Sequence, residues 1–241
     1  MQNKSDYTIL NWDSELFGYK VALINSSFRD DLRNILADLK SKKVKVAYLL
    51  LSPQDIRLNN FAEKADGVLV DERITYEIDA SKINASDHNK FITVYDKRHV
   101  SKELLKLTLQ SGACSRFKRD LNFDNNEYEK LYTAWIRKTV NHELGYEILV
   151  YQNAKSSCMG FITLGKSKDT GKIDLLSVDE KYRRKSVGSM LIRDALYRLK
   201  SAKCNRVIVT TQKLNTAACS FYEKIGFTPY KHENIYHFWI I

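Results

Sequence analysis

The alternation of apolar and polar positions predicts strands and helices mixed along the first half of the chain. The run VKVAYLLL (44–51) predicts a buried strand, and GVLVDERITYEID (67–79) predicts a strand, a turn and a second strand. Upstream of both, FRDDLRNILADLK (28–40) repeats apolar residues at the spacing of one helix face. A polar loop is predicted at 81–90, followed by a strand in FITVYD and a helix over 101–111.

The second half repeats this mixture after an irregular polar segment at 111–128. A helix is predicted over 127–140, and YEILVYQ, SCMGFITLG and GKIDLLSVD predict three strands joined by turns at 153–154 and 169–171. The remaining pattern predicts a helix, a strand, a helix and a last strand, at 186–200, 205–211, 215–227 and 234–241. The class is therefore α/β with a mixed sheet, and we expect an N-terminal α/β domain (1–112) and a C-terminal domain (118–241).

Composition excludes several classes of protein. Of 241 residues, 44% are apolar and 28% charged, which argues against collagen, low-complexity and disordered chains. The longest apolar run is far shorter than the roughly 20 residues of a membrane span, and no signal peptide is evident. The four cysteines are scattered without metal-ligand spacing. We therefore expect a cytoplasmic protein with reduced thiols and no metal or membrane partner.

Positive charge is concentrated in one segment. Ten basic residues and one acid lie between Lys181 and Lys213, so this stretch carries +9 of the formal net charge of +10. Such focusing favours a compact polyanion, such as a cofactor phosphate group, over a broad nucleic-acid-binding surface. Three outer members of the stretch fit a solvated helix face equally well: Arg193, Lys200 and Lys203.

The run LLSVDEKYRRKSVGSML (175–191) places a helix start directly after a strand. The strand is predicted to end at Val178, and the helix to begin near Ser186. A helix N-terminus attracts phosphate through its backbone N–H groups, and Gly188 is expected to let phosphate approach the backbone closely. The pattern is neither a P-loop nor a dinucleotide fingerprint. It predicts a pyrophosphate cradle surrounded by three cations: Arg183, Arg184 and Lys185.

This run resembles the acetyl-CoA-binding motif of the Gcn5-related N-acetyltransferase (GNAT) superfamily, Arg/Gln-x-x-Gly-x-Gly/Ala. Arg183 and Gly188 match the motif, while Ser186 replaces its first glycine. The replacement is tolerable if Ser186 does not need a positive φ, and a serine can cap the helix.

A second segment, NTAACSFYEKIGF (215–227), resembles the superfamily's Asn-x-x-Ala-x-x-aromatic/Leu-Tyr-x-x-x-Gly-Phe at every fixed position. Asn215 is predicted to cap this helix and Gly226 to end it. The resemblance implies a GNAT fold, with a mostly antiparallel sheet flanked by helices, and acetyl-CoA as cosubstrate. It also implies that Asn215 contacts the pantetheine arm. The implied acetyl-CoA-binding residues are Leu176, Val178, Arg183, Arg184, Lys185, Ser186, Val187, Gly188, Ser189 and Asn215.

The same resemblance implies that Tyr222 lies beside the sulfur as general acid. A thiol pKa of about 8.5 and a phenol pKa of about 10 suit proton transfer to the leaving thiolate, and backbone N–H groups near Leu176 and Val178 would stabilise the oxyanion. A core position on an amphipathic helix is the alternative for Tyr222. The general base stays unassigned, because each candidate also fits a surface or structural role: Asp174, His142, Glu143 and Glu147.

Three further segments resemble the TDP-fucosamine acetyltransferase (WecD-like) group: LNWDSELFGYKVALI, GVLVDERITYEI and CSRFKRDLNFDNNEYEKLYTAWI. The resemblance implies a nucleotide-linked 4-amino-4,6-dideoxy sugar as acceptor. Arg116 and Asp120 would then face the nucleotide sugar, since arginine suits a diphosphate. Alternatively, the two residues form an ion pair at the domain junction. Three aromatic residues fit either stacking on the acceptor or core packing: Trp12, Phe17 and Trp135.

Other readings remain open. The acceptor could be a protein N-terminus, a polyamine, an amino acid or an antibiotic, and the chain could bind CoA without turnover or act as a nucleic-acid-binding module. The apolar last strand (234–241) makes a homodimer through strand pairing possible. Within that strand, His237 is expected to be a hydrogen-bonded structural residue.

Overall fold

The computed structural model describes residues 6–26, 32–82, 91–145, 147–152 and 157–240. Within these ranges the strands are β1 (Tyr7–Ile9), β2 (Lys20–Ile24), β3 (Val44–Leu51), β4 (Val68–Asp79), β5 (Ile92–Val94), β6 (Glu147–Gln152), β7 (Cys158–Ser167), β8 (Thr170–Val178), β9 (Arg206–Gln212) and β10 (Thr228–Trp239). The α-helices are α1 (Asn11–Phe17), α2 (Leu32–Ser41), α3 (Ile56–Lys64), α4 (Lys102–Ser111), α5 (Arg116–Arg119), α6 (Glu127–Val140), α7 (Val187–Ser201) and α8 (Thr216–Ile225).

These strands form one mixed sheet, in the order β1-β2-β3-β10-β4-β9-β8-β7-β6-β5. The pairs β2–β3 and β8–β9 are parallel, and the other neighbouring pairs are antiparallel. The predicted class, a mostly antiparallel sheet flanked by helices, is confirmed. Strand β4 of the N-terminal half lies between β9 and β10 of the C-terminal half, so the sheet is continuous across the predicted boundary at 112–118. The two-domain division stays a prediction.

Helices cover both faces of the sheet. Side chains of α7 and α8 pack in one apolar cluster, and those of α1, α4 and α6 pack in another. Successive residues of β7 belong to different clusters, Phe161 to the second and Ile162 to the first, as expected for the two faces of a strand. A third cluster joins α2 and α3 to β2, β3 and β10.

Several predicted elements are confirmed with little change, including the strand at 44–51 and the helix at 127–140. The turn predicted within 67–79 is wrong, because β4 is one strand held by β9 on one side and β10 on the other. The segment 111–128, predicted to be irregular, contains the short helix α5, which Ser115 caps. Four elements had no clear pattern and were not predicted: β1, α1, β2 and α3.

The last strand is longer than predicted and lies inside the sheet, with β3 and β4 on its two sides. The expectation that this strand pairs with another subunit is therefore wrong, since neither of its edges is open. Residues 28–31 of the helix predicted over 28–40, residues 83–90 of the predicted loop and the turn at 153–154 lie outside the described residues. In the part of the chain that the structure describes, no helix has the length and apolar character needed to cross a bilayer.

Candidate functional site

The strands β8 and β9 separate halfway along their length. Their parallel pairing begins at Thr170 with Arg206 and ends at Ile173 with Val209. At the same point the register with β7 shifts, because Thr163 stands opposite two residues of β8. The Leu175 N–H donates to Oγ1 of Thr163 at 2.9 Å instead of to the ladder. This bulge opens the sheet next to Leu176 and Val178, whose backbone N–H groups were expected to stabilise the oxyanion.

The predicted pyrophosphate cradle lies at the start of α7, and Ser186 there differs from expectation. Its φ is +61°, so it occupies the left-handed region that glycine adopts without strain. Its side chain makes no capping hydrogen bond. The expectation that Ser186 needs no positive φ is therefore wrong, and so is the expectation that its side chain caps the helix. Since the Ser186 hydroxyl does not cap the helix, the first-turn N–H groups, which include those of Val187 and Ser189, suit an anion.

Gly188 has a packing role that was not predicted, and its approach to phosphate stays a prediction. A Cβ at this position would lie 3.3 Å from the Phe221 ring and 3.7 Å from Cγ2 of Val178. The missing side chain therefore lets α7 pack closely against α8. The exposed side chains of Arg184 and Lys185 surround the helix start, and Nε of Arg183 donates to the Val178 carbonyl at 3.3 Å.

A cavity of about 300 Å³ lies where β8 and β9 separate; we call it the inner cavity. Asn215 lies on its wall and caps α8, accepting the Ala218 N–H at Oδ1 over 3.2 Å. Gly226 ends α8 at a φ of +105°, which confirms the predicted limits of this helix. The inner-cavity wall includes Asp71, Arg73, Ser115, Arg116, Tyr132, Trp135, Lys172, Asp174, Leu175, Leu176, Thr210, Gln212, Asn215 and Tyr222.

Tyr222 is a core residue that also lines the inner cavity, and its role as general acid stays a prediction. It is buried and packs against Tyr76, Phe221 and Phe227, and it also lines the inner cavity. Burial raises the pKa of its phenol well above the ordinary value, and Cys219 adds to this. The phenol is therefore protonated at neutral pH, the state that a general acid needs.

Arg116 and Asp120 meet through a third residue. His237, fully buried on β10, has Nδ1 2.6 Å from Oδ2 of Asp120 and Nε2 3.0 Å from Nη1 of Arg116. Burial lowers the pKa of His237 to about 4, against the opposing effect of Asp120. The neutral ring thus donates to Asp120 and accepts from Arg116, and Nε1 of Trp239 also donates to Asp120 at 2.9 Å. His237 is the hydrogen-bonded structural residue that was expected.

Of these residues, Arg116 lines the inner cavity, and Asp120 does not. The Arg116 guanidinium stacks on the rings of Tyr48 and Phe117, with Cζ 4.0 and 4.5 Å from the ring centroids. Asp120 therefore reaches the cavity only through His237 and Arg116. The direct ion pair suggested as an alternative does not form.

A larger groove of about 1190 Å³ adjoins the inner cavity; we call it the outer groove. Trp12 and Trp135 line it half-buried, whereas Phe17 is a core residue. No sequence pattern indicated the basic character of this groove, because its lysines come from α6, β7, β8 and the turn between β7 and β8. The lysines are Lys138, Lys166, Lys168 and Lys172.

Three of the four candidate bases lie away from the inner cavity. Glu147 pairs with Arg198 at 3.1 Å, Glu143 pairs with Lys138 at 3.4 Å, and His142 is exposed on a turn. Asp174 lines both the inner cavity and the outer groove, but its Oδ1 lies 2.6 Å from Nζ of Lys172. Asp71, which the sequence analysis did not single out, is a buried carboxylate on the inner-cavity wall. The one feature of the sequence that could have indicated Asp71 is its place directly after an apolar run in a predicted strand.

Comparisons with known proteins agree with this geometry. Residues 111–227 match the family model described as "Acetyltransferase (GNAT) family". The chain is 40% identical over 57 residues to N-alpha-acetyltransferase 30 of Xenopus laevis, a match covering 24% of this chain and 21% of that protein. It is 23% identical over 136 residues to the spore coat polysaccharide biosynthesis protein SpsD of Bacillus subtilis, covering 56% of this chain and 46% of that protein.

Among solved structures, a GCN5-related N-acetyltransferase from Sphaerobacter thermophilus superposes with a TM-score of 0.63 at 13% identity. The superposition covers 97% of this chain and 76% of that one. At this identity the likeness concerns the fold. The family match covers α5, α6, β8, β9 and α8, which line the inner cavity. Strands β4 and β10 also line the cavity and lie outside the match. The chain therefore has the GNAT fold, and its residues 111–227 match the model of the GNAT acetyltransferase family.

Proposed function

We propose that this protein is an acetyl-CoA-dependent N-acetyltransferase that acts on the amino group of a nucleotide-linked 4-amino-4,6-dideoxy sugar. One observation carries the proposal. The inner cavity, formed where β8 and β9 separate, contains Tyr222 and opens towards a groove lined by lysines and tryptophans. An acyl donor and an anionic, ring-containing acceptor would meet in that cavity.

The donor side fits acetyl-CoA. The pyrophosphate would bind at the start of α7, whose first-turn N–H groups Ser186 does not cap, with Arg183, Arg184 and Lys185 supplying positive charge. The pantetheine arm would follow the opening in the sheet past Val178 and Leu176 towards Asn215. Backbone groups on the unpaired edge of β8 would bind its amides and the developing oxyanion.

Tyr222 would act on the leaving group. The acceptor nitrogen attacks the thioester carbonyl carbon, and the C–S bond breaks as the tetrahedral intermediate collapses. The departing sulfur takes the proton of the Tyr222 phenol, which burial keeps protonated at neutral pH. The phenolate is then reprotonated from solvent before the next turnover.

The acceptor side favours a nucleotide sugar. Two lysines of the outer groove, Lys166 and Lys168, make no ion pair with another described residue. Together with the guanidinium of Arg116 they suit a diphosphate, and the two tryptophans of the groove suit stacking on a base or a sugar ring. Asp120 would orient Arg116 through His237. The similarity to a protein whose name assigns it to polysaccharide biosynthesis supports this acceptor class.

A second candidate function is acetylation of a protein N-terminus. The 40% identity to N-alpha-acetyltransferase 30 over 57 residues favours it. Since the outer groove is basic, such a peptide would carry acidic side chains after its first residue.

A panel assay tests the proposal. The purified protein is incubated with acetyl-CoA and one amine at a time, namely TDP- and UDP-linked 4-amino-4,6-dideoxyhexoses, spermidine, and an acidic and a basic peptide. Release of free thiol and a mass gain of one acetyl group are followed together. We expect the gain on an amino-sugar nucleotide. A gain confined to a peptide would replace this proposal with the second candidate, and no gain on any amine would overturn both.

A further inference from the structure

We infer that Asp71 is the general base of this acetyl transfer, the residue that removes the proton from the acceptor nitrogen. The inference rests on the proposed function, because it assumes an amine acceptor in the inner cavity. It adds a role that the sequence left unassigned, and it selects a residue outside the stretch 111–227 that matches the acetyltransferase family model.

The position of Asp71 carries the argument. It lies on β4, the N-terminal strand inserted between β9 and β10, and it lines the inner cavity together with Tyr222. The residue is only 5% exposed, yet among the described residues its Oδ1 has no hydrogen-bond partner. A buried carboxylate oxygen without a partner is costly to keep. An amine entering the cavity would give this oxygen the donor it lacks.

The cations around Asp71 are engaged elsewhere. Arg73, on the same strand, bonds Glu233 at 2.7 Å, and on α5 Arg116 bonds His237 while Nη1 of Arg119 contacts the Val70 carbonyl. The three lower the pKa of Asp71 at a distance, but burial outweighs them and raises it to about 6. Other titratable groups on the inner-cavity wall are Tyr132 of α6, Lys172 and Asp174 of β8, and Tyr222 of α8.

A base of this strength suits the step. As the C–N bond forms, the nitrogen becomes positively charged and strongly acidic, and Oδ1 of Asp71 takes one of its protons. Tyr222 gives a different proton to the sulfur when the C–S bond breaks. The products are the amide and the free thiol. Proton balance is restored when Asp71 returns its proton to solvent and Tyr222 regains one.

Asp174 is the competing candidate, since it also lines the inner cavity. Its Oδ1 is paired with Lys172 at 2.6 Å, so its carboxylate already has a partner. The two carboxylates can be separated by substitution, and Glu72 supplies a matched control. It is the next residue on β4 and pairs with Lys213 at 2.8 Å, on the exposed side of the strand.

The test measures kcat/KM for the acetylated acceptor against pH in the full-length protein. For the wild type we expect a fall below about pH 6, where Asp71 becomes protonated. Asp71→Asn should lower kcat/KM about 10²- to 10⁴-fold and remove that fall, while its acetyl-CoA dissociation constant stays within a few-fold of the wild type. Glu72→Gln should keep both the rate and the pH profile. Asp71→Glu, which retains a carboxylate, should keep the acidic fall at a reduced rate.

The other possible results contradict either the assignment of Asp71 as the base or the proposed function. If Asp71→Asn stays within a few-fold of the wild type, or if Asp174→Asn removes the acidic fall instead, Asp71 is not the base. A loss of activity accompanied by loss of acetyl-CoA binding makes Asp71 a structural residue. If Asp71→Asn does not fold, Asp71→Glu decides, because a flat pH profile in that variant contradicts the assignment. A wild type inactive towards every amine overturns the proposed function itself.

Discussion

Two buried titratable residues, Asp71 and His237, affect stability in opposite directions. Burial raises the pKa of Asp71 from 3.8 to about 6 in the folded protein. The contribution of Asp71 to the free energy of unfolding therefore falls as the pH rises from 3.8 to about 6. The His237 pKa is lowered from 6.5 to about 4, so its contribution falls as pH drops through that window. In the wild type the two effects largely offset each other between pH 4 and 6.5.

Asp71→Asn should therefore reveal the effect of His237. Its free energy of unfolding should rise with pH between 4 and 6.5, by about 3 kcal/mol if the full shift is realised. The wild type should change much less. Urea unfolding of both proteins across this pH range measures the difference, and parallel curves would contradict the account.

Tyr222 is the residue whose hydroxyl the proposed chemistry uses directly. Tyr222→Phe should keep the ring packing against Phe221 and Phe227 and lower kcat about 10²- to 10³-fold. The acetyl-CoA dissociation constant should hardly change. Tyr230→Phe, at an exposed position on β10, serves as the control. Wild-type kcat in Tyr222→Phe would remove the hydroxyl from the mechanism.

At the level of elements, the helix start at Ser186 carries a local strain. A non-glycine residue at a φ of +61° costs about 1 kcal/mol. Ser186→Gly should therefore raise the free energy of unfolding by up to about 1 kcal/mol and keep or tighten acetyl-CoA binding. Ser189→Gly, within the first turn of the same helix, should destabilise instead. Calorimetric binding and thermal melts compare the two, and a destabilised Ser186→Gly would show that the serine side chain has a role of its own.

The elements also show what the sequence could and could not predict. Patterns of local origin were enough for the helix at 127–140 and for the capped helix after Asn215. Strand β4 was predicted with a turn because its polar run resembles a hairpin, and only its two sheet neighbours keep it extended. Asp71 and the groove lysines come together from distant parts of the chain. No local pattern indicates such groupings.

At the scale of the whole molecule, both halves of the chain build one sheet and one cavity. A fragment of residues 118–241 would lack β3 and β4, leaving both edges of β10 unpaired, and it would also lack Asp71. We expect this fragment to aggregate or stay unfolded, and to have no transferase activity. Circular dichroism and the thiol-release assay check this. A folded fragment as active as the full chain would show that the N-terminal half is dispensable.

Acetyl transfer to an amino-sugar nucleotide in the inner cavity is the activity that we propose for this protein. Its most direct test is kcat/KM for a TDP-linked 4-amino-4,6-dideoxyhexose and for an acidic N-terminal peptide, measured side by side on one preparation with acetyl-CoA as donor. We predict that the sugar nucleotide is preferred by at least about 100-fold, which corresponds to about 3 kcal/mol of transition-state binding from the lysines and tryptophans of the outer groove. Equal values, or a preference for the peptide, would contradict the account.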